Sequence, residues 1–335
     1  MHLQDESMPK VSVIIPCYNQ GIYIDEAVET VLSQTCQDFE IIIVNDGSTD
    51  EFTNDLLGSY RKPKARVIHT TNQGLPSARN NGIKEAAGEY ILPLDADDRI
   101  GSEYLEEAVK ILDQDKEVGI VYCEAELFGE ATGKWDLPPY SLERMLAGNI
   151  IFCTSFFRKA DWARVGGFDP RMVKGWEDYE LWISLIELGV SVRRIDKVLF
   201  YYRLKPGSMV QSLSRQDMER SFEVIFNKHR KFYEDNVGAL FDGMVHNHNE
   251  VVRVHEIMED LRKEAGALHS EIHNLRMEII DLHSRINRLE TETHNLHVDK
   301  GDLEQIIDYQ RSSLKWLSKQ LSSVVLNRLC SRSPV

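Results

Sequence analysis

Between residues 11 and 95 the chain alternates short β-rich apolar runs with amphipathic stretches, and this alternation leaves few folds open. Strands are expected at 11–15, 40–44, 66–69 and 90–94, with helices near 23–34, 50–58 and 75–87 between them. Such an order builds βαβ units and a mostly parallel α/β sheet, whose ligands collect at the carboxyl ends of the strands. Polar clusters stand at those ends: Pro16-Cys17-Tyr18-Asn19, Asn45-Asp46-Gly47-Ser48 and Asp95-Ala96-Asp97-Asp98. Three polar strand ends are expected to share one site.

From about residue 236 the pattern changes. Prolines vanish until Pro334, and eight of the eleven histidines fall between His246 and His297. Apolar positions then alternate four and three apart from Val254 through Leu268, Ile272 and Leu275 to Val324, a heptad seam and a helix of roughly 105 Å at about 1.5 Å per residue. Isoleucine at a with leucine at d favours a parallel two-stranded coiled coil. The flanking pairs agree, as in Glu271 with Arg276 and Glu278 with His283. A homodimer is the first expectation and a trimer the second. After Asp308 no acidic residue follows, while Arg311, Lys315 and Lys319 accompany Trp316, Leu317 and Leu321. This basic amphipathic end is either the plain end of the coiled coil or a helix that docks on a membrane surface or a partner protein. The expected organisation is an α/β nucleotide-binding domain over 1–235, a connector over 236–252, a coiled-coil oligomerisation region over 253–325, and an overlapping basic end over 309–335.

Asp95 and Asp97 lie two apart just after a strand, so in extended backbone both side chains project to one side and together hold one cation. Their hard oxygens suit Mg²⁺ or Mn²⁺, and such an ion stabilises a departing diphosphate. An Asp-x-Asp alone marks a solvated turn as readily as a metal site. Its neighbours sharpen the reading.

VSVIIPCYNQ, EIIIVNDGSTD and NQGLPSARNNGIKEAAGEYILPLDADD together resemble the opening of a family 2 glycosyltransferase. The resemblance implies a GT-A fold, a nucleotide-sugar donor (UDP-, GDP- or dTDP-linked) and a glycan or lipid-linked acceptor in surface polysaccharide or glycoconjugate assembly. It implies that Tyr18 and Asp46 line the base pocket, with Pro16 and Asn19 beside them, and that Arg79 supports the base or the diphosphate. Asp95 then lies by the ribose and metal, and Asp97 is the principal metal ligand. A second stretch, GGFDPRMVKGWEDYELWISLIELG, resembles the family's acceptor side. It nominates Asp178 as the base that takes the acceptor hydroxyl's proton, with Glu177 in support. Gly167 belongs to a turn below the acceptor, and Trp176 is either a sugar-stacking wall or a core tryptophan. VLFYYRLKPGSMV makes Arg203, Lys205 and Ser208 candidate phosphate contacts. One base, one metal and no candidate nucleophile opposite it imply direct displacement with inversion.

Two rival classes are a nucleotidyltransferase, which would show a glycine-rich phosphate loop, and a non-catalytic scaffold, which would show damage at Asp97 or the Glu177–Asp178 pair. A formal net charge of −15 argues against nucleic acid as partner. Five scattered cysteines, with no Cys-x-x-Cys, fit a reducing cytoplasmic setting, peripheral at most to a membrane. The Gln-x-x-Arg-Trp of processive synthases is absent, so addition of one or a few sugars is expected.

Overall fold

Runs of β-branched residues make the first strands. VSVIIPC forms β1 (Val11–Cys17) and FEIIIVND forms β2 (Phe39–Asp46), both buried almost end to end, as strands covered by helices on both faces must be. In the computed structural model, which describes residues 8–206, 214–295 and 300–330, β3 (Ala65–Thr70) and β4 (Tyr90–Pro93) join them in parallel in the order β3-β2-β1-β4. Helices α1 (Gly21–Leu32), α2 (Glu51–Gly58) and α3 (Leu75–Glu85) alternate with these strands. The expected strands and helices of this half are present and differ only at their ends.

The sheet then changes character. β8 (Phe156–Arg158) runs antiparallel to both β4 and β6 (Val118–Gly129), and β6 runs parallel to β9 (Ser191–Leu204) with shifts in register. β5 (Arg99–Ile100) closes the edge on β9, and β7 (Gly133–Trp135) pairs with β6. Helices α4 (Tyr104–Gln114), α5 (Leu142–Ala147), α6 (Lys159–Val165) and α7 (Glu177–Glu187) follow in chain order among these strands.

α3 rests directly on β1 and β2, and Gly82 permits it. A Cβ there would stand 2.5 Å from Ile14 Cγ2 and 2.9 Å from Val44 Cγ2. That close approach seats Arg79, one turn earlier, against the sheet. α7 is held from the other side by α8 (Arg215–Lys228) and α9 (Arg230–Asp235). His229 places Nδ1 2.6 Å from Glu187 Oε2 and Nε2 2.9 Å from Glu180 Oε1, and Lys228 reaches the same Glu180 oxygen at 2.6 Å. Burial opposes the charge on Glu180, yet His229 and Lys228 hold its carboxyl below its ordinary value. Tyr233 adds a contact of 3.2 Å between its hydroxyl and that of Tyr179.

The chain divides into two compact units, Met1–Asn249 and Glu250–Val335. The division falls inside the expected connector, which is helical, because α10 (Val237–Asn295) has already begun. Within the second unit the expected single rod is corrected. Arg311 of α11 (Lys300–Cys330) lies 3.2 Å from Glu290 of α10, whereas an unbroken helix would hold those residues about 31 Å apart. Leu268, Ile272 and Leu275 line one apolar pocket with Leu317, Leu321 and Val324. The two helices therefore pack antiparallel, and seam residues meet within one chain. In sequence the seam is weakest at Thr293 and Lys300, near the ends of the two helices, and Gly301 adds low helix propensity.

Gly82→Ala is expected to lower the unfolding free energy by about 1–3 kcal/mol in a urea titration, because its Cβ overpacks the α3 contact. Gly58→Ala, where a Cβ meets nothing within 4 Å, is the control and should cost nothing.

Candidate active site

The first two strand ends are stapled by Asn19. It adopts a left-handed φ of 56°, which asparagine tolerates better than most residues. Its Oδ1 accepts from the amides of Thr49 (2.7 Å) and Asp50 (3.2 Å), and its Nδ2 donates to Thr49 Oγ1. Pro16 is buried in β1 opposite Val44, whereas Tyr18 is 45% exposed. Asp46, at the end of β2, is almost fully buried. Its carboxylate accepts from Thr70 Oγ1 (3.1 Å) and from the amides of Gln73 (3.1 and 3.2 Å) and Gly74 (2.9 Å). It therefore folds the 70–74 loop over the strand ends, and a base N–H reaches it only by exchange with one of these bonds.

Arg79 occupies the centre. Its guanidinium is 1% exposed, with Nη2 2.6 Å from Asp95 Oδ1 and Nη1 bound to Glu177 Oε1, and it lies 5.5 Å over the Phe168 ring. In this structure the guanidinium braces two carboxylates from distant parts of the chain.

The Asp95–Asp98 segment is also not the extended backbone expected. The Asp98 amide donates to the Asp95 carbonyl at 3.1 Å, closing a turn in which Asp95 and Asp97 are the first and third residues. The carboxylates still feel one another. Burial first, then Asp97 and Asp95, pushes the Asp98 carboxyl well above its ordinary value, while the Arg203 amide donates to Asp98 Oδ1 at 2.8 Å. Lys205 Nζ stands 2.7 Å from Asp97 Oδ2. Arg203 is packed between the rings of Tyr23 and Phe128, paired with Glu26, and donates from Nε to the Asp97 carbonyl at 2.7 Å. It holds the turn's backbone as a pillar. Ser208 lies outside the described residues. Among the described residues no group of three or more His, Cys, Asp and Glu is placed to hold a metal. The donor set nevertheless fits a hard divalent ion that takes the rest of its shell from water and phosphate oxygens, and the Lys205 ammonium already stands in for a cation on Asp97.

On the opposite side α7 begins from strained backbone. Gly175 and Trp176 have φ of 101° and 68°, and the latter costs a tryptophan on the order of 1–3 kcal/mol. Ring contacts with Phe222 (5.2 Å) and Tyr179 (6.0 Å) hold it there, half-buried. The kink sends Glu177 inward to Arg79. Asp178 Oδ1 accepts from the Tyr179 amide at 2.7 Å, and the Asn149 side chain adds a second bond. Burial, and after it the neighbouring Glu177, pushes the Asp178 carboxyl up to about 7 against the pull of Arg79. Gly167, with φ of 83°, leaves no room for a side chain, since a Cβ would stand 2.6 Å from Asn80 Oδ1. Asn80 in turn holds both the amide and the carbonyl of Phe168. Sequence reasoning missed three neighbours of this site. Asn80 follows Arg79 directly and was open to inference; Asn149 carried no signal. Cys153, whose thiol burial pushes up beside Arg79, Asp95, Asp178 and Glu177, carried none either.

Comparison with known proteins bears on the family and the fold. The family described as Glycosyl transferase family 2 matches residues 12–159. A hyaluronan synthase of Pasteurella multocida is 30% identical over 264 residues, covering 68% of this chain and 26% of that protein, so the chain spans about a quarter of that relative's length. S. aureus TarS 1–349 in complex with UDP-GlcNAc superposes with a TM-score of 0.53 at 24% identity, over 64% of this chain and 65% of that one. The mannosyltransferase PcManGT from Pyrobaculum calidifontis, in complex with GDP-Man and Mn²⁺, gives 0.51 at 19% identity, over 68% and 65%. At these identities the two structures establish the shared GT-A fold.

Arg79→Met leaves the almost fully buried Glu177 without its counter-charge and is expected to cost about 3–5 kcal/mol in urea unfolding. Arg79→Lys keeps the charge without the two-pronged fork and should fall between Met and wild type.

Proposed function

Residues 12–159 being a glycosyl transferase family 2 domain, we propose that the chain transfers a sugar from a nucleotide-sugar donor to a hydroxyl of a glycan or lipid-linked acceptor, with inversion at the anomeric carbon. UDP- and GDP-linked donors are favoured over dTDP-linked ones by the ligands of the two structural neighbours. The observation that carries the reading is Asp178, a half-buried carboxyl with its protonation poised at about 7, beside a Glu177–Arg79–Asp95 brace.

In this reading the acceptor oxygen attacks the anomeric carbon while its proton passes to the Asp178 carboxylate. The bond to the diphosphate breaks, and the diphosphate leaves with the electron pair. Glu177 does not take the proton; tied to Arg79, it fixes the first turn of α7 and so the direction in which Asp178 faces. Trp176 and the Gly167 turn border the acceptor, and Tyr18 stacks on the base. A Mn²⁺ or Mg²⁺ ion held by Asp95 and Asp97 would neutralise charge on the departing diphosphate.

The second unit supports narrower readings. Val254, Met258 and Leu261 are exposed seam residues, which supports self-association through this shorter part of the seam. No helix among the described residues is long and apolar enough to cross a membrane. The exposed Tyr309 and Trp316 beside Lys315 and Lys319 support a peripheral contact with the cytoplasmic membrane face.

Asp178→Asn is expected to keep donor binding while lowering transfer by about 10²–10⁴-fold, read from a panel of nucleotide sugars with product detection. Wild-type turnover in that variant removes Asp178 from the base role. In the wild type kcat/KM should rise as pH increases through about 7, as the base ionises. Stability has the opposite sign, because a carboxyl raised in the folded state contributes stability that is fully present below the unfolded value of about 3.9 and lost as pH rises through the folded one. Asp178→Asn should therefore melt higher than wild type at pH 8 by more than it does at pH 5.

A further inference from the structure

Two of the carboxylates in the Asp95–Asp98 turn are matched by cations of different kinds. Arg79, on Asp95, is enclosed and forked to Glu177 as well. Lys205, at the end of the β9 region, reaches Asp97 Oδ2 by a single contact of 2.7 Å, with 21% of its side chain open to solvent. Its ammonium also lies 4.7 Å over the Tyr23 ring, a second favourable seat for the charge. A lysine ammonium is a compact charge on a flexible stem, so this cation is displaceable and Arg79 is not. It stands on a carboxylate oxygen of the residue read as the metal ligand. Two cations on one carboxylate repel, so an arriving divalent ion disfavours the ammonium there. A diphosphate bound to the ion then offers that ammonium new oxygens.

We propose that Lys205 is a built-in counter-ion that occupies Asp97 until a divalent ion and a nucleoside diphosphate arrive together, and that it thereby makes their binding cooperative. The proposal rests on the reading of Asp97 as the metal ligand. Lys205 lowers the affinity for either ligand alone, because the open carboxylate is only a fraction of the population. Each ligand raises the affinity for the other by the same factor.

Mn²⁺ binding to the full chain, followed by the electron paramagnetic resonance signal of free Mn²⁺ with and without UDP or GDP and corrected for the Mn²⁺–nucleotide complex, tests this without any turnover. In wild type the nucleotide should tighten Mn²⁺ by a factor within the usual range of about 5–150. Lys205→Met should bind Mn²⁺ alone more tightly than wild type and show a smaller factor, while Lys205→Arg, which keeps the charge, should stay near wild type. If Asp97→Asn weakens Mn²⁺ but Lys205→Met leaves both the affinity and the factor unmoved, the counter-ion role is overturned and the metal reading stands. If Mn²⁺ does not bind, or binds no worse in Asp97→Asn, the metal reading fails and the proposal fails with it.

Discussion

One guanidinium, shared between two carboxylates, ties this domain together. Arg79 comes from α3, Asp95 from the turn after β4, and Glu177 from the start of α7, so three segments far apart in sequence converge on a single side chain. An arginine buried without partners is prohibitively expensive, and one with a fork of two carboxylates is tolerable. The brace therefore couples two decisions. α3 can pack closely on β1 and β2 through Gly82 only if something neutralises the charge it carries inward, and α7 supplies half of that neutralisation.

The same coupling explains strain at the start of α7. A tryptophan in left-handed backbone is unfavourable, and Trp176 remains there because Phe222 and Tyr179 enclose its ring and because Glu177 must turn toward Arg79. Asp178, the next residue, lies where burial and the neighbouring glutamate disfavour its charge. Adjacent carboxylates thus acquire different duties from their surroundings. One is compensated by arginine and structural; the other is held by an amide and Asn149 and is free to exchange a proton. The helix bearing both is anchored behind by Glu180 and Glu187 on His229, so its first turn is positioned from two sides.

Much of this was legible in the sequence, and the limits have physical causes. The β-branched runs and the polar residues after them located the strands and the clustered strand ends, because burial on both faces leaves an unmistakable composition. The assumption of extended backbone at Asp95 failed because spacing of two reports a shared side only inside a strand, and the strand ends at Pro93. The partners of Arg79 were unreadable because Glu177 lies 98 positions away, and pairing at that separation leaves no local period. The heptad seam was read correctly as apolar contact and wrongly as one rod. A four-three spacing states which residues seek cover and not whether the cover comes from another chain or from the same chain turned back. Thr293, Lys300 and Gly301 were the sign that a return was feasible.

Charge poses the last problem for the proposed function, in which a chain with a net −15 receives a polyanionic donor. The strand ends place Asp46, Asp95, Asp97 and Asp98 around the cleft, and a diphosphate approaching four carboxylates would be repelled. The structure removes most of that field before any ligand arrives: Asp46 is satisfied by backbone amides, Asp95 by Arg79, and Asp98 by burial that favours its neutral form and by an amide. Asp97 is matched by the single contact of a lysine. Under the proposed counter-ion role, concentrating the exchangeable charge at that one residue would let a net-acidic surface accept an anion through a local replacement. A carboxylate cluster left uniformly open would instead attract metal ions but hold the phosphates away.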